Sequence, residues 1–481
     1  MELKKKAVKG IFYSGLSSIL VRVLSLIITI YLSRLLTPED FGTYGMAVIV
    51  INIFAIFQDL GLLTALIYRE ENIEETASTA FWVLAPLGII FTAVCWIAAP
   101  VFDLIFKGNL DLDVLRFLSL SIFLSTLGNI YIAVLNKKMM FDRLLVPEVI
   151  SIAVFGISTI FFAHMKLGEW ALVYGYFFQT FFNTFFSWLM CGWTQTFVID
   201  KHILKDMLKY GVNVVLTALL LFFSLQSDKL LIGRLIGPVA LGLYIMAYNV
   251  ASGPVIAISQ ILARVAFPLF SKLQFRLKEF REEFAAMFIL NAIFVIPIEA
   301  GFFVFIRDII IVIFTPKWLG MIPILRILCV FGILRAFGNM LGTAFNSIGK
   351  PEIVRNLTFT HLVSFFILIF PLAKYCGANG VAFALTIAQF IAIGYGIFVL
   401  NKYISIGFKE IGNYIAIPVT GSLFIIVSVY LLKMISIFKA ENLINFLTLL
   451  VTVSAVYLCT LYLLNRKLIS GYITLLKDGF K

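Results

Sequence analysis

Apolar stretches of about 20 residues, each long enough to cross a bilayer as a helix, recur along this chain. They run from near Val8 to Leu464, and the segments between them are too short to hold a soluble domain. Only helices and closed barrels satisfy every backbone polar group inside a membrane, and stretches of this length favour helices. The pattern therefore predicts an all-α membrane protein that crosses the bilayer many times.

The composition agrees, since 61% of the 481 residues are hydrophobic, 13% are charged and the mean hydropathy is +1.03. A soluble domain carries about 25% charged residues. We predict about fourteen transmembrane helices, in two sets of six followed by two more. They lie near 9–35, 41–66, 79–105, 112–136, 144–165 and 168–192, then 209–234, 241–262, 284–306, 318–345, 352–373 and 378–400, and finally 411–433 and 442–464.

The placement of basic residues predicts the orientation of the chain. With the N-terminus inside, 24 of the 38 Lys and Arg residues fall in inner segments, nine in outer loops and five within helices. Cytoplasmic loops carry an excess of Lys and Arg, so we expect both termini in the cytoplasm. The same loop bias explains the net charge of +12, which therefore does not indicate a nucleic-acid partner.

The residue types that carry catalysis or bind metals are dispersed in this sequence. The five cysteines have neither metal-ligand spacing nor a disulfide framework, and the three histidines are far apart. The sequence contains no glycine-rich phosphate loop, so the chain does not hydrolyse ATP itself. We therefore predict a non-enzymatic protein with no catalytic residue, no bound metal and no organic cofactor.

Two sequence matches indicate that the chain is an internal duplication. RLLTPEDFGTYGMA (34–47) aligns without gaps on RLIGPVALGLYIMA (234–247), with seven identical residues in fourteen. LRFLSLSIFLSTLGNIYIAVLN (115–136) aligns on LRILCVFGILRAFGNMLGTAFN (325–346), also with seven identities. The offset grows from 200 to 210, and we place the extra ten residues in the basic loop after the eighth helix.

The duplication predicts the domain organisation. We expect a first six-helix bundle at 1–194, a cytoplasmic linker at 195–208, a second bundle at 209–402, and two further helices with a tail at 403–481. Six helices per half give both halves the same orientation in the membrane. Transporters built from such repeats bind substrate between the halves and alternate access around it.

Arginines deep in the predicted helices are candidate substrate ligands, because a charge inside the membrane usually has a functional reason. Arg22 and Arg335 align with Phe222 and Ser125, so neither is shared by the repeats. We expect both to line a water-filled cavity between the halves; pairing with a carboxylate for packing is the alternative. Arg116, Arg326 and Lys229 complete the predicted set, although the matched arginines could equally snorkel to the interface.

Carboxylates in the helices are candidates for ion coupling. Asp228 lies near the outer end of the seventh predicted helix, where it could instead neutralise Lys229. Asp59 lies near the inner end of the second helix and Glu299 in the outer part of the ninth. A carboxylate at a helix end is more often an interface residue, and this alternative remains open for each of the three carboxylates.

The sequence resembles a known family. RLLTPEDFGTYGMAVIV with FQDLGLLTALIYRE, and later QSDKLLIGRLIGPVALGLYIMAYNV, FPLFSKLQ and NSIGKPE, are similar to polysaccharide flippases. These flippases belong to the multidrug/oligosaccharidyl-lipid/polysaccharide (MOP) exporter superfamily. The likeness spans nearly the whole chain, and it is strongest to the branch that exports O-antigen, colanic-acid-type or teichuronic-acid-type polysaccharides.

The resemblance implies two six-helix bundles around a cationic cavity, in the inner membrane of a bacterium. It implies a monomer that moves undecaprenyl-diphosphate-linked oligosaccharide to the outer leaflet, coupled to H⁺ or Na⁺ and working beside polymerases and glycosyltransferases. Arg22 and Arg335 would contact the diphosphate or acidic sugars, and Asp228 would be the coupling carboxylate.

Other functions remain open on the residues alone. A lipid II flippase and a multidrug antiporter have the same architecture, although an antiporter of cationic drugs should carry carboxylates rather than arginines at mid-membrane. A membrane-embedded glycan polymerase or ligase is a different class. It needs a large outer loop with catalytic Arg or His, and the outer loops here are short. A lipid scramblase without gradient coupling is a further alternative.

Overall fold

A computed structural model of the chain describes residues 2–69, 72–434 and eight positions between 448 and 460. These residues form thirteen α-helices and one short 3₁₀ helix, and they contain no strand. Among them, eleven spans are long and apolar enough to cross a membrane. The prediction of an all-α membrane protein is confirmed.

The helices follow one another with short connections. Their bounds are α1 Glu2–Leu35, α2 Pro38–Gln58, α3 Leu62–Tyr68, α4 Ile73–Ile105, α5 Leu112–Lys137, α6 Phe141–His164, α7 Glu169–Cys191, α8 Lys201–Leu235, α9 Pro238–Leu273, α10 Leu277–Val312, the 3₁₀ helix Pro316–Met321, α11 Ile322–Ser347, α12 Pro351–Ile404 and α13 Phe408–Met434.

Several observed bounds differ from the predicted ones. The predicted helix 41–66 is divided into α2 and α3, because Leu60 and Gly61 adopt positive φ angles of 47° and 71°. The predicted helices 352–373 and 378–400 both lie within α12, and its non-helical backbone at Gly377 falls in the predicted gap between them. Helix α8 begins at Lys201, so more than half of the predicted linker 195–208 is helical.

The two predicted C-terminal helices have different outcomes. The first, near 411–433, corresponds to α13. The second, near 442–464, lies mostly outside the described residues, apart from eight positions that are helical.

Polar caps start the helices that follow tight turns. Thr37 caps α2 by accepting a hydrogen bond from the backbone N–H of Asp40, while the Asp40 carboxylate accepts from the backbone N–H of Thr37 at 2.7 Å. This reciprocal pair satisfies two N–H groups that a helix start leaves unpaired. Asp111 caps α5 and Asp200 caps α8 without a reciprocal hydrogen bond. Each carboxylate accepts from the backbone N–H groups two and three residues later.

Contacts divide the chain into two compact units, Met1–Gly242 and Leu243–Lys481. In the first unit, α6 packs on α7 and α1, α5 packs on α4 and α7, and α8 packs on α2, α3 and α4. Its interior contains two apolar clusters, one around Leu66, Leu84 and Val134 and the other around Leu32 and Leu172. The predicted domain bounds stay predictions.

Two matched glycines of the duplication meet in the first unit. A Cβ on Gly42 would lie 1.8 Å from the carbonyl oxygen of Pro238, and a Cβ on Gly242 would lie 1.8 Å from that of Pro38. Because only glycine permits this backbone approach, the shared Pro and Gly of the repeated sequence have a structural role. The first turns of α2 and α9 pack together through equivalent residues.

The second unit is described by itself. Helix α10 packs on α11 and α13, and α11 packs on α12. The core of these helices is rich in aromatic rings, with Phe270, Phe284 and Phe288 in contact and the tilted ring of Phe337 on α11 centred 4.7 Å from that of Phe288. A smaller cluster of Val255, Val295 and Ala336 joins α9, α10 and α11.

Candidate functional site

Glu299 is the most deeply buried carboxylate that the structure describes. It lies on α10 of the second unit with 1% of its surface exposed. Neither oxygen of its carboxyl group has a hydrogen-bond partner of normal geometry among the described residues. Because buried polar groups are nearly always hydrogen-bonded, this exception calls for a functional or chemical explanation.

Small and weakly polar groups surround the Glu299 carboxyl group. A Cβ on Gly332 of α11 would lie 2.7 Å from Glu299 Oε1, so the carboxyl group occupies the space that the glycine leaves. The same virtual Cβ would lie 3.5 Å from Val255 of α9. The thiol of Cys329, one turn earlier on α11, interacts with the carboxyl group, but sulfur is a weak hydrogen-bonding partner.

Arg335 lies one turn beyond Gly332 on α11, and aromatic side chains hold it. Its Nη1 donates a hydrogen bond to the hydroxyl of Tyr248 on α9. Its guanidinium carbon lies 5.9 Å from the ring centre of Tyr248 and 5.9 Å from that of Phe331. Cation–π contacts of this kind orient the guanidinium while its remaining N–H groups can still donate to an anion.

Arg326 and His361 lie at either side of this region in the second unit. Arg326 is exposed, and its guanidinium carbon lies 5.5 Å from the ring centre of Phe303 on α10. His361 of α12 is 9% exposed and lies within electrostatic range of Arg335, and its Nε2 has no hydrogen-bond partner. The structure thus brings Arg326, Glu299 and Arg335 to neighbouring turns of α10 and α11.

The arginine candidates of the first unit lie on different helices. Arg22 is on an exposed face of α1. Helix α1 is joined to α6 by the hydroxyl of Ser17, which donates to the carboxylate of Glu148. Arg116 of α5 is partly buried and pairs at 3.5 Å with Asp113 one turn earlier, while its Nε is buried without a hydrogen-bond partner. An anion at Arg116 would therefore compete with a neighbouring carboxylate.

Asp228 and Lys229 make separate contacts on α8. The Asp228 carboxylate is 4% exposed and accepts a hydrogen bond of 2.8 Å from the backbone N–H of Lys229. The Lys229 ammonium donates to the side-chain oxygen of Gln226 at 3.0 Å. The pair remains a candidate for substrate or ion contact.

Asp59 lies directly after α2, outside the membrane-spanning segment. Its Oδ1 accepts a hydrogen bond of 3.0 Å from the backbone N–H of Gly61 in the turn before α3. Burial raises the pKa of this carboxyl above its ordinary value, and the hydrogen bond from Gly61 opposes the shift. The contact gives Asp59 a structural role in the turn that separates α2 from α3.

Sequence reasoning missed several polar groups in the interior. Gln58 is 3% exposed, and its Nε2 lies 2.7 Å from the carbonyl oxygen of Ile122, 2.6 Å from Ser125 Oγ and 2.7 Å from Thr126 Oγ1. Tyr248 and His361 were also missed. In the sequence, Gln58 is distinguished only as a polar residue near the end of a predicted helix, and such a residue is equally typical of the membrane interface.

An apolar cavity of about 450 Å³ also opens in the first unit, between α4, α5 and α7. Its lining includes Ile89, Trp96 and Phe177. Apolar walls of this kind contact acyl chains or apolar ligands, and they offer nothing that binds a phosphate.

The comparison with protein families decides the relationship of the chain. A family described as polysaccharide biosynthesis protein matches residues 31–323, which is more than half of the sequence. The chain belongs to this family. The resemblance noted in its sequence motifs is thereby confirmed.

Two relatives of the chain are named as proteins of polysaccharide biosynthesis. It is 26% identical to the teichuronic acid biosynthesis protein TuaB of Bacillus subtilis (strain 168), over 73% of each chain. It is 24% identical to the lipopolysaccharide biosynthesis protein WzxC of Escherichia coli (strain K12), over 84% of this chain and 82% of that one.

Solved structures confirm the fold of this family member. The lipid II flippase MurJ in an inward closed conformation has a TM-score of 0.71 at 16% identity, covering 95% of this chain and all 100% of that one. An inward-facing multidrug resistance MATE transporter of the MOP superfamily has a TM-score of 0.64 at 19% identity, covering 80% and 94%. The predicted MOP-like architecture is confirmed, and the chain is a multi-pass membrane protein.

Proposed function

We propose that this protein is a flippase for undecaprenyl-diphosphate-linked oligosaccharide, moving one repeat unit from the cytoplasmic to the outer leaflet of a bacterial inner membrane. The observation that carries the proposal is the match of residues 31–323 to the polysaccharide biosynthesis family. The fold of a flippase and transporter superfamily supports translocation as the activity. The exported unit would serve surface polysaccharide synthesis.

The diphosphate of this substrate needs cationic ligands inside the protein. Arg335 is suited to the role, since aromatic rings hold its guanidinium and Tyr248 occupies only one of its donors. Arginine binds phosphate through a planar pair of donors, which lysine cannot reproduce. We propose Arg335 and Arg22 as the principal phosphate contacts, with Arg326, Arg116 and Lys229 as secondary ones.

Translocation would proceed by alternating access coupled to a gradient of H⁺ or Na⁺. In the proposed topology both termini face the cytoplasm, and the protein acts as a monomer alongside polymerases and glycosyltransferases. Asp228, Asp59 and Glu299 are the carboxylates proposed for coupling. Among them, Glu299 combines the deepest burial with unpartnered oxygens.

Deleting the gene tests the proposed substrate class. We expect an undecaprenyl-linked oligosaccharide to accumulate on the cytoplasmic side, with loss of the corresponding surface polysaccharide, measured by lipid extraction and mass spectrometry. Accumulation of lipid II would instead favour a peptidoglycan-precursor flippase. Gain of drug sensitivity with normal surface polysaccharide would favour a multidrug antiporter.

Arginine variants test the proposed phosphate contacts. Arg335→Ala and Arg22→Ala should each reduce surface polysaccharide at least tenfold while the protein level stays normal, because one charged contact is worth about 1.5–3 kcal/mol. Arg335→Lys should restore only part of the export. Arg276→Ala is the matched control, since Arg276 is exposed and pairs with Glu279 on the protein surface. Wild-type polysaccharide in both alanine variants contradicts the assignment.

A further inference from the structure

We infer that Glu299 is a proton-binding site that excludes sodium, and that its protonation favours the packed arrangement of α10 against α11. This inference deepens the proposed function, because it names the coupling ion and the residue that carries it. It rests on the unpartnered carboxyl group of Glu299 and on the space that Gly332 leaves for that group.

The burial of Glu299 rules out a simple interface role. Its side chain is 1% exposed and lies 13 residues before Val312, where α10 ends. A carboxyl group that snorkels to the membrane interface would be exposed. The carboxyl group is therefore committed to the protein interior.

An ionised carboxylate does not fit this position. An unpaired buried charge is strongly unfavourable, and such groups take up a proton or acquire a partner instead. Protonation removes the charge, and the neutral acid then requires only one weak acceptor for its O–H. The Cys329 sulfur, which interacts with the carboxyl group, has the weak acceptor capacity that this O–H needs.

The surroundings also argue against a metal cation. Hard cations are held by several oxygen ligands at once. The structure places Gly332 and the thiol of Cys329 at the carboxyl group, with a methyl group of Val255 beside the glycine, and none of these supplies an oxygen ligand. The backbone of α10 is helical on both sides of Glu299, and its carbonyl groups are engaged in the helix except at Ile293. Pro297 has no N–H to donate to Ile293, and the carbonyl oxygen of Ile293 accepts from the Tyr457 hydroxyl instead. In the described part of the chain, no group of three or more His, Cys, Asp or Glu could hold a metal ion.

Other titratable groups near α10 are directed elsewhere. Helix α10 packs against α11, α12, α13 and the 3₁₀ helix, and Val255 brings α9 to the site. Besides Cys329, several titratable or charged groups on these elements have contacts of their own. They include Arg335 with Tyr248 of α9, Arg326 with Phe303 of α10, His361 of α12 stacked on Phe365, Tyr414 of α13 against Phe288, and Lys317 on the 3₁₀ helix. Tyr457 also contacts α10, where its hydroxyl donates to the carbonyl oxygen of Ile293.

Proton release from Glu299 requires a change of packing. The ionised form must reach water or a cation, and α11 with its glycine closes over the carboxyl group in this structure. A ligand that binds one state better shifts the equilibrium toward it, and the proton acts here as that ligand. Protonation thus stabilises the packed α10–α11 seam, and ionisation favours a separated one.

Other polar groups in the same seam allow an alternative packing. Asn291 lies two turns before Glu299 on α10, and its Oδ1 is buried without a partner while its Nδ2 donates to the carbonyl oxygen of Ala336 at 3.1 Å. Ser252 and Ser259, on either side of Val255 on α9, also have buried hydroxyls without partners. These groups could bond water or one another once the seam opens.

Thermal unfolding of the purified full-length protein tests the inference without any lipid-linked substrate. In the wild type, stability should fall as pH rises above about 4.3, the ordinary pKa of a glutamic acid side chain, because the folded state then holds one proton more than the unfolded state. A difference of one proton changes the unfolding equilibrium constant tenfold per pH unit. Glu299→Gln and Glu299→Leu should both flatten this part of the profile, and replacing NaCl by KCl should change nothing.

Glu279→Gln is the matched control, because Glu279 is an exposed carboxylate on the same helix. This variant should keep the wild-type profile. Superimposable profiles for wild type and Glu299→Gln overturn the inference, and so does a stabilisation by sodium that Glu299→Gln abolishes. Failure of both Glu299 variants to fold also counts against it, because a residue that neither a neutral isostere nor an apolar side chain can replace has a structural role.

The outcome is separable from that of the proposed function. If gene deletion leaves every undecaprenyl-linked sugar unchanged, the flippase proposal fails while the pH profile still reports the proton site. If the profile is flat in the wild type but Arg335→Ala abolishes export, the coupling residue lies elsewhere and the flippase proposal stands.

Discussion

In each unit, a buried polar side chain meets the same matched position of the repeat, Ile122 on α5 or Gly332 on α11, but its surroundings there differ. In the first unit, the Gln58 amide lies within 2.7 Å of three oxygens on α5, at Ile122, Ser125 and Thr126. In the second unit, the Glu299 carboxyl group meets Gly332 of α11, which the offset of 210 pairs with Ile122, and finds no hydrogen-bond partner of normal geometry.

The difference distinguishes a structural polar group from a responsive one. A buried amide with its donors satisfied stabilises one arrangement of helices. A carboxyl group without partners can change charge, and its preferred surroundings then change with it. We therefore expect α2 and α5 to stay packed through the transport cycle, whereas α10 and α11 carry a switch.

Exchanging the two side-chain types, by Gln58→Glu in the first unit and Glu299→Gln in the second, should reduce the stability of the protein more in the first case. Gln58→Glu loses the amide donors and places a carboxyl group against the carbonyl oxygen of Ile122. We expect a loss of about 3 kcal/mol in the free energy of unfolding, because the substitution leaves a buried charge without a compensating partner. The reciprocal Glu299→Gln should lose less than about 1 kcal/mol, because it keeps the shape of the protonated acid.

Chemical unfolding in detergent, followed by the fluorescence of the six tryptophans, measures both changes. The comparison is wrong if the two exchanges have equal effects, or if Glu299→Gln is the more damaging.

Much of the fold could be predicted from the sequence, because long apolar stretches and a repeated segment with matched Pro and Gly residues can be read directly. The interruption at Gly377 falls in the gap between the predicted helices 352–373 and 378–400. The break at Leu60–Gly61 was not predicted, since the positive φ angles there depend on the packing around them. The matched Gly42 and Gly242 were visible as a repeat, but the contact they make with Pro238 and Pro38 was not.

The candidate site was predicted less completely than the fold. Asp59, Asp228 and Glu299 looked alike in the sequence, because each is a carboxylate in an apolar segment. What separates them is the partner each finds, and Gly332 lies on a different helix from Glu299. The repeat also distinguishes Glu299, because the offset of 210 pairs it with Ile89 and the two halves therefore do not share the carboxylate.

Filling the space of Gly332 tests whether the carboxyl group and the glycine act together. Gly332→Ala places a Cβ 2.7 Å from Glu299 Oε1, so the carboxyl end must move. We expect a loss of about 1–2 kcal/mol in the wild-type background. In a Glu299→Ala background the added methyl group should have little effect, because the group it displaces is gone.

A double-mutant cycle on unfolding free energies isolates this coupling. Additive effects of the two substitutions would show that Gly332 is needed for close helix packing alone, independent of the carboxyl group.

Removing a single acceptor of the Gln58 amide should have the smallest effect on stability. Thr126→Val removes one of the three oxygens around the Gln58 amide and keeps the shape of the side chain. Because Ile122 and Ser125 still accept from the amide, we expect a loss of about 1 kcal/mol. Thr343→Val is the control, since the Thr343 hydroxyl bonds to the carbonyl of Asn339 one turn earlier on its own helix. A loss for Thr126→Val as large as that for Gln58→Glu would mean that the hydroxyl, rather than the satisfied amide, holds α2 against α5.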